Sequence, residues 1–225
     1  MPHLLHLDSS ADTERSRSRA ITASFVAAWR DQGADCTVTH RDLHRDPLPH
    51  LADAALHWPP RLRPADAAPP AAAEALQEEL IAELISADVL LVGAPLYNYS
   101  LPSSLKAWID HIHVPGVTAP FDGDTQPLAG RPAVIVSSQG ASYDAHTPTE
   151  GWDHAVPVLD LILGSSLGMT LTVITTSLTL AETVPALADQ VERSRAELAR
   201  AHEMAAETAR RLAAARPLGD EPRKV

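Results

Sequence analysis

The sequence predicts an α/β fold in which five parallel strands form one doubly wound sheet with helices on both faces. Strand-like and helix-like segments alternate five times along the chain, which is the order found in such sheets. The segment DVLLVGAP (88–95) is almost entirely apolar, as expected for a strand that is buried on both of its faces. The chain has 225 residues, 45% of them hydrophobic, which is enough for one substantial core.

The predicted elements follow one another without an internal repeat. In order they are a strand at 3–8, a helix at 15–33, a strand at 34–43, a helix from about 71, a strand at 88–95, a helix after Ser100, a strand at 131–142, a helix at 154–168, a strand at 169–176 and a helix from about 183 to 214. The first helix illustrates the reasoning. It has Ile21, Phe25, Ala28 and Trp29 on one face and ends at Gly33.

The connection between the second strand and the second helix is unusual. Residues 44–70 are rich in proline, and we predict an irregular excursion there. The helix that follows repeats leucine at four-residue spacing, at Leu76, Leu80 and Leu84. We expect residues 1–215 to form a single domain with this excursion, and residues 216–225 to form a disordered tail.

Charge and cysteine content narrow the class of protein. Asp and Glu number 29 against 18 Lys and Arg, a formal charge of −11, which disfavours binding to nucleic acids or anionic membranes. The single cysteine, Cys36, excludes an internal disulfide and a Cys-rich metal site. The N-terminus does not have the pattern of a signal peptide, and no apolar run is long enough to span a membrane. We therefore expect a cytoplasmic protein that binds small molecules.

Ligands of doubly wound sheets bind at the carboxyl ends of the strands, so three loops are of interest. The first, DSSADTERSRSR (8–19), is rich in hydroxyls and leads into a helix, whose free N–H groups and positive dipole end favour a phosphate. Arg17 could add charge. The alternative is that these residues only cap the helix. The loop contains neither GxxxxGK[ST] nor GxGxxG, so a monophosphate fits better than a triphosphate or a dinucleotide.

The second loop lies within APLYNYSLPSSLKAWIDHI (94–112), where a buried strand ends and a helix begins at once. Apolar residues at helical spacing predict the helix: Leu101, Leu105, Trp108, Ile109 and Ile112. We expect Ser100 to cap it and Pro102 to lie in its first turn. The segment Pro95 to Tyr99 would then present aromatic faces and backbone donors to a flat heterocycle. The alternative is an ordinary connection with tyrosines on the surface.

The third loop, SSQGASYDAHTPTEGWDH (137–154), follows another buried strand, and Gly140 permits close approach of a ligand to the backbone. Tyr143 and His146 are candidate proton donors, although a loop histidine is more often simply solvated. The histidines of HRDLH (40–44) and HIH (111–113) show no convergent carboxylate in the sequence. We therefore expect them to lie at the surface and predict no metal site.

These three loops resemble those of the flavodoxin-like, FMN-dependent NADH:quinone oxidoreductases, also called azoreductases. The resemblance rests on the serine-rich first loop, on PLYNYSLPSSLKAWIDHI and on SSQGA, and it covers about residues 3–200. It implies noncovalent FMN, with contacts as follows. The phosphate would bind Ser10, Ser16, Arg17 and Ser18, and the ring would contact Pro95, Leu96, Tyr97, Asn98, Tyr99, Ser138, Gln139, Gly140 and Ala141.

The resemblance also implies an activity. NADH or NADPH would reduce the flavin, and a quinone or azo compound would then take up two electrons in the same pocket, at a homodimer interface. The apolar stretch at 154–168 could cover the partner subunit. The chain departs from the family pattern at 119–121, where the aromatic is Phe121, and at 139–141, where Gln139 replaces a positive side chain. Two other functions remain open: a flavodoxin-type electron carrier and a flavin-free binding module of the same fold.

Overall fold

A computed structural model of the protein describes residues 1–215, so the predicted tail at 216–225 lies outside the described residues. The strands and helices alternate along the chain. They are β1 (His3–Asp8), α1 (Arg17–Arg30), β2 (Thr37–Asp42), α2 (Ala71–Ser86), β3 (Val89–Pro95), α3 (Ser103–Ile112), β4 (Pro132–Ser138), α4 (Val156–Leu159, continued by the π-helical Asp160–Ser166), β5 (Thr170–Thr176) and α5 (Val191–Ala214). None of the helices in this part of the chain is long and apolar enough to cross a membrane.

The five strands form one parallel sheet in the order β2-β1-β3-β4-β5. The predicted fold class is thereby confirmed. Strand β1 lies between β2 and β3. Its register pairs His6 with His40 of β2 and Asp8 with Gly93 of β3. All five strands therefore direct their carboxyl ends to the same edge, where the three predicted loops begin.

Two hydrophobic layers cover the sheet. One contains Leu80 of α2, Trp108 of α3 and Leu163 after α4, and the other contains Phe25 of α1 and Ala205 of α5. Alternate residues of β3 enter alternate layers, which explains why the whole strand is apolar. The predicted inward face of the first helix is confirmed, because its four apolar residues are all buried.

The structure corrects several local predictions. Helix α5 begins at Val191 rather than near 183, because a short 3₁₀ helix, Pro185–Gln190, precedes it. Ser100 does not cap α3: Pro102 occupies the capping position without a side-chain hydrogen bond. Ser100 instead exchanges two backbone hydrogen bonds with Tyr97.

The excursion at 44–70 is more ordered than its composition suggests. It contains two 3₁₀ turns, Ala54–His57 and Pro60–Leu62. The buried amide of Gln77 donates to the carbonyls of Leu56 and His111, at 2.9 and 3.1 Å. His111 itself is buried, and its Nε2 lies 2.9 Å from the carbonyl oxygen of Pro49. The prediction of a surface position was therefore wrong for this histidine.

Candidate active site

The three loops converge at the carboxyl edge of the sheet. The hydroxyl of Tyr97 lies 3.1 Å from Ser10 Oγ and accepts from the N–H of Ala11 at 3.0 Å, which joins the second loop to the first. The N–H of Leu96 donates to the carbonyl of Ser138 at 2.8 Å, which joins the second loop to the third. Direct hydrogen bonds thus hold the predicted ligand-binding segments together.

The first loop presents free donors at the start of α1. Ser16 is the N-cap, and its hydroxyl accepts from the N–H of Arg19 at 3.3 Å and lies 3.0 Å from Ser18 Oγ. Within residues 1–215, no group accepts from the N–H of Ser16, Arg17 or Ser18. The prediction that a serine caps the helix is confirmed. The unpaired N–H groups beside this serine are of the kind that suits an anion, so phosphate binding stays a prediction.

The guanidinium of Arg17 has a different environment from the one the sequence suggests. Its Nη1 lies 3.4 Å from the carbonyl of Ser177 and 3.5 Å from that of Ser194. Burial lowers the pKa of Arg17. The side chain thus contacts the segment around α5, while the backbone N–H of Arg17 remains among the unpaired donors of the first loop.

Arg19, which the sequence did not single out, fixes the first loop in place. Its Nη2 donates to the carbonyl of Ser10 at 2.7 Å, and its guanidinium contacts both carboxylate oxygens of Asp42 at 2.7 Å. This bidentate contact lowers the pKa of Asp42 to about 2. Arg and Asp are common on protein surfaces, so the sequence gives no sign that Arg19 holds the first loop. The pairing of Arg19 in α1 with Asp42 in β2 becomes visible only in the fold.

The second loop makes a tight turn with an unusual backbone. Asn98 and Tyr99 have φ angles of 48° and 66°, which non-glycine residues seldom adopt and which cost about 1–3 kcal/mol each. Two backbone hydrogen bonds of 3.0 Å between Tyr97 and Ser100 close the turn. No described residue accepts from the N–H of Asn98 or Tyr99. The turn thus leaves two donors available to a ligand.

The third loop is held at its base by Gln139. The N–H of this residue donates to the carbonyl of Thr176 at 2.9 Å, and its side-chain amide donates to Asp153 Oδ2 at 2.8 Å. The N–H groups of Gly140 and Ala141 have no acceptor among residues 1–215. A Cβ atom at the position of Gly140 would lie 3.1 Å from the side chain of Leu180. Glycine therefore lets Leu180 pack close to the backbone of the third loop.

The two candidate proton donors differ in their surroundings. Tyr143 is half-buried and packs edge-on against Tyr99, with 6.3 Å between ring centroids. Burial, followed by electrostatic interaction with Tyr99 and Asp153, raises the pKa of Tyr143. His146 is exposed, and its backbone N–H donates to the carboxylate of Glu150. Tyr143 is thus the candidate that the fold brings to the second loop.

An apolar rim surrounds the site and consists of Tyr99, Trp152 and Leu180. Their exposed fractions are 46%, 46% and 47%. Trp152 packs edge-on against Tyr99 at 5.3 Å between ring centroids. The sequence analysis did not single out Trp152 or Leu180, although a tryptophan in a polar loop was a visible signal. Phe121, the displaced aromatic, packs elsewhere. Its ring lies against Trp58 of the excursion, with 5.0 Å between ring centroids.

Taken together, the sheet order and the donor-rich loops define a flavodoxin-like α/β protein. The family described by its flavodoxin-like fold matches residues 2–205. An FMN-dependent NADH:quinone oxidoreductase of Kineococcus radiotolerans is 61% identical, over 94% of this chain and 100% of that protein. One from Streptomyces coelicolor is 41% identical, over 94% of this chain and 96% of that protein.

Solved structures agree on the fold. An azoreductase from Bacillus anthracis has a TM-score of 0.78 at 18% identity, over 94% of this chain and 100% of that one. A second structure from the same species, an FMN-dependent NADH-azoreductase in complex with FMN, has a TM-score of 0.75 at 19% identity, over 95% and 100% of the two chains. The chain belongs to the family of FMN-dependent NADH:quinone oxidoreductases.

Proposed function

We propose that this protein is an FMN-dependent NAD(P)H oxidoreductase that passes two electrons to quinones or azo compounds by a ping-pong mechanism. The observation that carries the proposal is the convergence of three loops with unpaired backbone donors at one sheet edge. Family membership supplies the reaction class. We further infer that the enzyme works in the cytoplasm with its single cysteine reduced.

The donors of the three loops fit the chemical groups of FMN. The N–H groups and hydroxyls of Ser16 and Ser18, with the hydroxyl of Ser10, suit the phosphate at the positive end of α1. The backbone from Pro95 to Tyr99 and from Ser138 to Ala141 suits the ring, whose polar edge accepts hydrogen bonds. FMN supplies the two-electron redox chemistry when bound. The chain binds it, orients it and limits access of water.

We assign the proton of the acceptor half-reaction to Tyr143. Its hydroxyl carries a proton at neutral pH, as that of an ordinary tyrosine does, and its ring contacts Tyr99 of the second loop. From this position the hydroxyl can donate to an oxygen or nitrogen of the acceptor that gains electrons. His146 is the second candidate and differs in being open to solvent.

We also infer that the protein works as a homodimer that covers the apolar rim. The rim is exposed in a single chain, and Leu161, in the stretch predicted to contact a partner, is 63% exposed. Its neighbours Leu159, Leu163 and Leu167 are instead buried in the core, so only part of that stretch is available. A dimeric mass by analytical ultracentrifugation at micromolar concentration is expected, and a monomeric mass would overturn the inference.

Steady-state kinetics test the proposed reaction. NADH and a simple quinone should give parallel lines in double-reciprocal plots, because the donor leaves before the acceptor binds. Intersecting lines would contradict this sharing of one pocket. FMN-bound protein that NADH does not reduce would instead support the electron-carrier function.

A further inference from the structure

A cluster of two histidines and one carboxylate lies on β1 and β2, and its carboxylate, Asp8, directly precedes the serines of the first loop. The parallel register places His6 beside His40, and Asp8 lies two residues further along β1 and so on the same face. One potential ligand atom from each side chain lies within 4.8 Å of the other two. His6 and His40 are 34 positions apart in the sequence, and the pairing of β1 with β2 brings them together.

The spacing within this cluster matches that of ligands around a tetrahedral metal ion. Asp8 Oδ2 lies 3.3 Å from His6 Nε2 and 3.1 Å from His40 Nε2, and the second contact is a hydrogen bond that a bound ion would replace. Ligand atoms at the bond lengths of zinc stand about 3.3 Å apart in a tetrahedron. The two imidazole rings are stacked at 4.5 Å between centroids, with 23° between their planes, so the exposed ring of His40 must turn before both Nε2 atoms can point at one ion.

His6 provides an independent observation. The residue is 6% exposed, and its Nε2 has no hydrogen-bond partner although Asp8 Oδ2 is near, because the geometry between the two does not satisfy a hydrogen bond. A buried imidazole nitrogen without a partner is unfavourable. A metal ion in the space shared with Asp8 and His40 would satisfy this nitrogen.

Charged groups surround the cluster and balance one another. Arg19 Nη1 is 3.7 Å from Asp8 Oδ2, and its guanidinium is paired with both oxygens of Asp42. Arg45 Nε also lies 3.7 Å from Asp42 Oδ2, so two guanidinium groups face the two carboxylates. Thr22 donates to the other oxygen of Asp8 at 3.0 Å, which orients the carboxylate. The side chain of His40 is 44% exposed and provides a path from solvent.

We propose that His6, Asp8 and His40 bind one divalent zinc ion, with water in the fourth position. Two imidazoles and a carboxylate form a ligand set that zinc accepts in proteins. The ion would join edge strand β2 to β1 directly before the serines of the first loop. Its role is to stabilise this corner of the sheet, and it does not depend on the proposed redox reaction.

The test uses tag-free, FMN-loaded protein that has been treated with a chelator and then titrated with zinc chloride in a calorimeter. The wild type should bind one equivalent, and at a hundredfold excess over Kd its Tm should rise by about 5 °C. His6→Gln and His40→Gln should weaken binding at least about tenfold, since even the loss of a residue that only orients a metal ligand costs about 10- to 100-fold. His57→Gln, at an exposed histidine of the excursion, should bind as the wild type does.

Two results would overturn the proposal. One is a wild type that takes up no stoichiometric zinc and shows no change in Tm. The other is a His40→Gln variant that binds zinc as tightly as the wild type and the His57→Gln control. His40 is partly exposed, so its substitution leaves a folded protein in which the result can be read.

Discussion

The first and third loops flank the same site but are built differently. The first is polar and anchored at both ends: Ser9, Ser10 and Ser18 are at most 2% exposed, while residues 11–15 between them are exposed. Arg19 and the Tyr97 hydroxyl hold the loop from both sides. The third is bordered by the exposed apolar rim of Tyr99, Trp152 and Leu180. A rigid polar loop suits a cofactor that stays bound, and an open apolar rim suits substrates that exchange.

The largest expected effect of a single substitution lies beneath the first loop, at Gly93 of β3. Its carbonyl accepts from the N–H and hydroxyl of Ser9 at 3.2 and 2.6 Å, and a Cβ there would lie 2.8 Å from Asp8 Oδ1. Gly93→Ala should lower the free energy of unfolding by about 1–3 kcal/mol, as overpacking does in a closed core. Urea denaturation measures this loss.

Gly123→Ala is the matched control, because a Cβ at Gly123 meets nothing within 4 Å. This variant should unfold at the same urea concentration as the wild type. If the Gly93→Ala variant were as stable as the wild type, the structure beneath the first loop would accommodate an extra methyl group. The first loop would then not be rigidly supported.

The next effect concerns the phosphate. Removing the hydroxyls of Ser16 and Ser18 together should weaken FMN binding by at least about 10- to 100-fold, since a single hydrogen bond to a charged group is worth about 1.5–3 kcal/mol. Fluorescence quenching of the flavin gives the affinity. Riboflavin, which lacks the phosphate, should bind the variant and the wild type equally. An equal loss for both ligands would show that the serines do not contact the phosphate.

Two tyrosines separate the functions of the loops. Tyr97→Phe removes contacts with Ser10 and the N–H of Ala11, so FMN affinity should fall about three- to tenfold.

Tyr143→Phe should leave FMN affinity unchanged and lower turnover with the acceptor, because its hydroxyl is assigned to proton donation. The two effects are measured by flavin titration and by quinone reduction. Reversed results would exchange the roles given to the two loops.

The smallest expected effect is a pH dependence at the support of the third loop. Glu197 of α5 accepts from the N–H and hydroxyl of Ser177, which follows β5. Burial alone would raise the pKa of Glu197, but these hydrogen bonds outweigh it and lower the pKa. A lowered pKa in the folded state stabilises the protein above the unfolded value of about 4.3. This contribution is lost as the pH falls through the folded pKa.

Glu197→Gln should therefore lose less stability than the wild type between pH 7 and pH 3, by up to about 1 kcal/mol. Urea unfolding at both pH values measures the difference. Glu203→Gln, at an exposed position of the same helix, should behave as the wild type does. If all three proteins lose stability equally, the contact with Ser177 does not stabilise the fold.

The features that the sequence predicted share one property: they lie close together along the chain. The apolar run of β3 and the turn at Tyr97 are contiguous, so their patterns were visible. Arg19 paired with Asp42, and His6 beside His40, depend on strand register, which no local pattern contains. The predicted start of α5 was too early because residues 185–190 form a separate 3₁₀ helix directly before it.

The central claim is that the three loops hold an FMN that accepts electrons from NADH and passes them to a quinone. The most direct measurement is the visible absorbance of the purified, FMN-loaded protein under anaerobic conditions, first with NADH and then with quinone. The flavin band should bleach with NADH alone and return when quinone is added. A band that persists with NADH, or a protein that binds no FMN after reconstitution, would contradict the account.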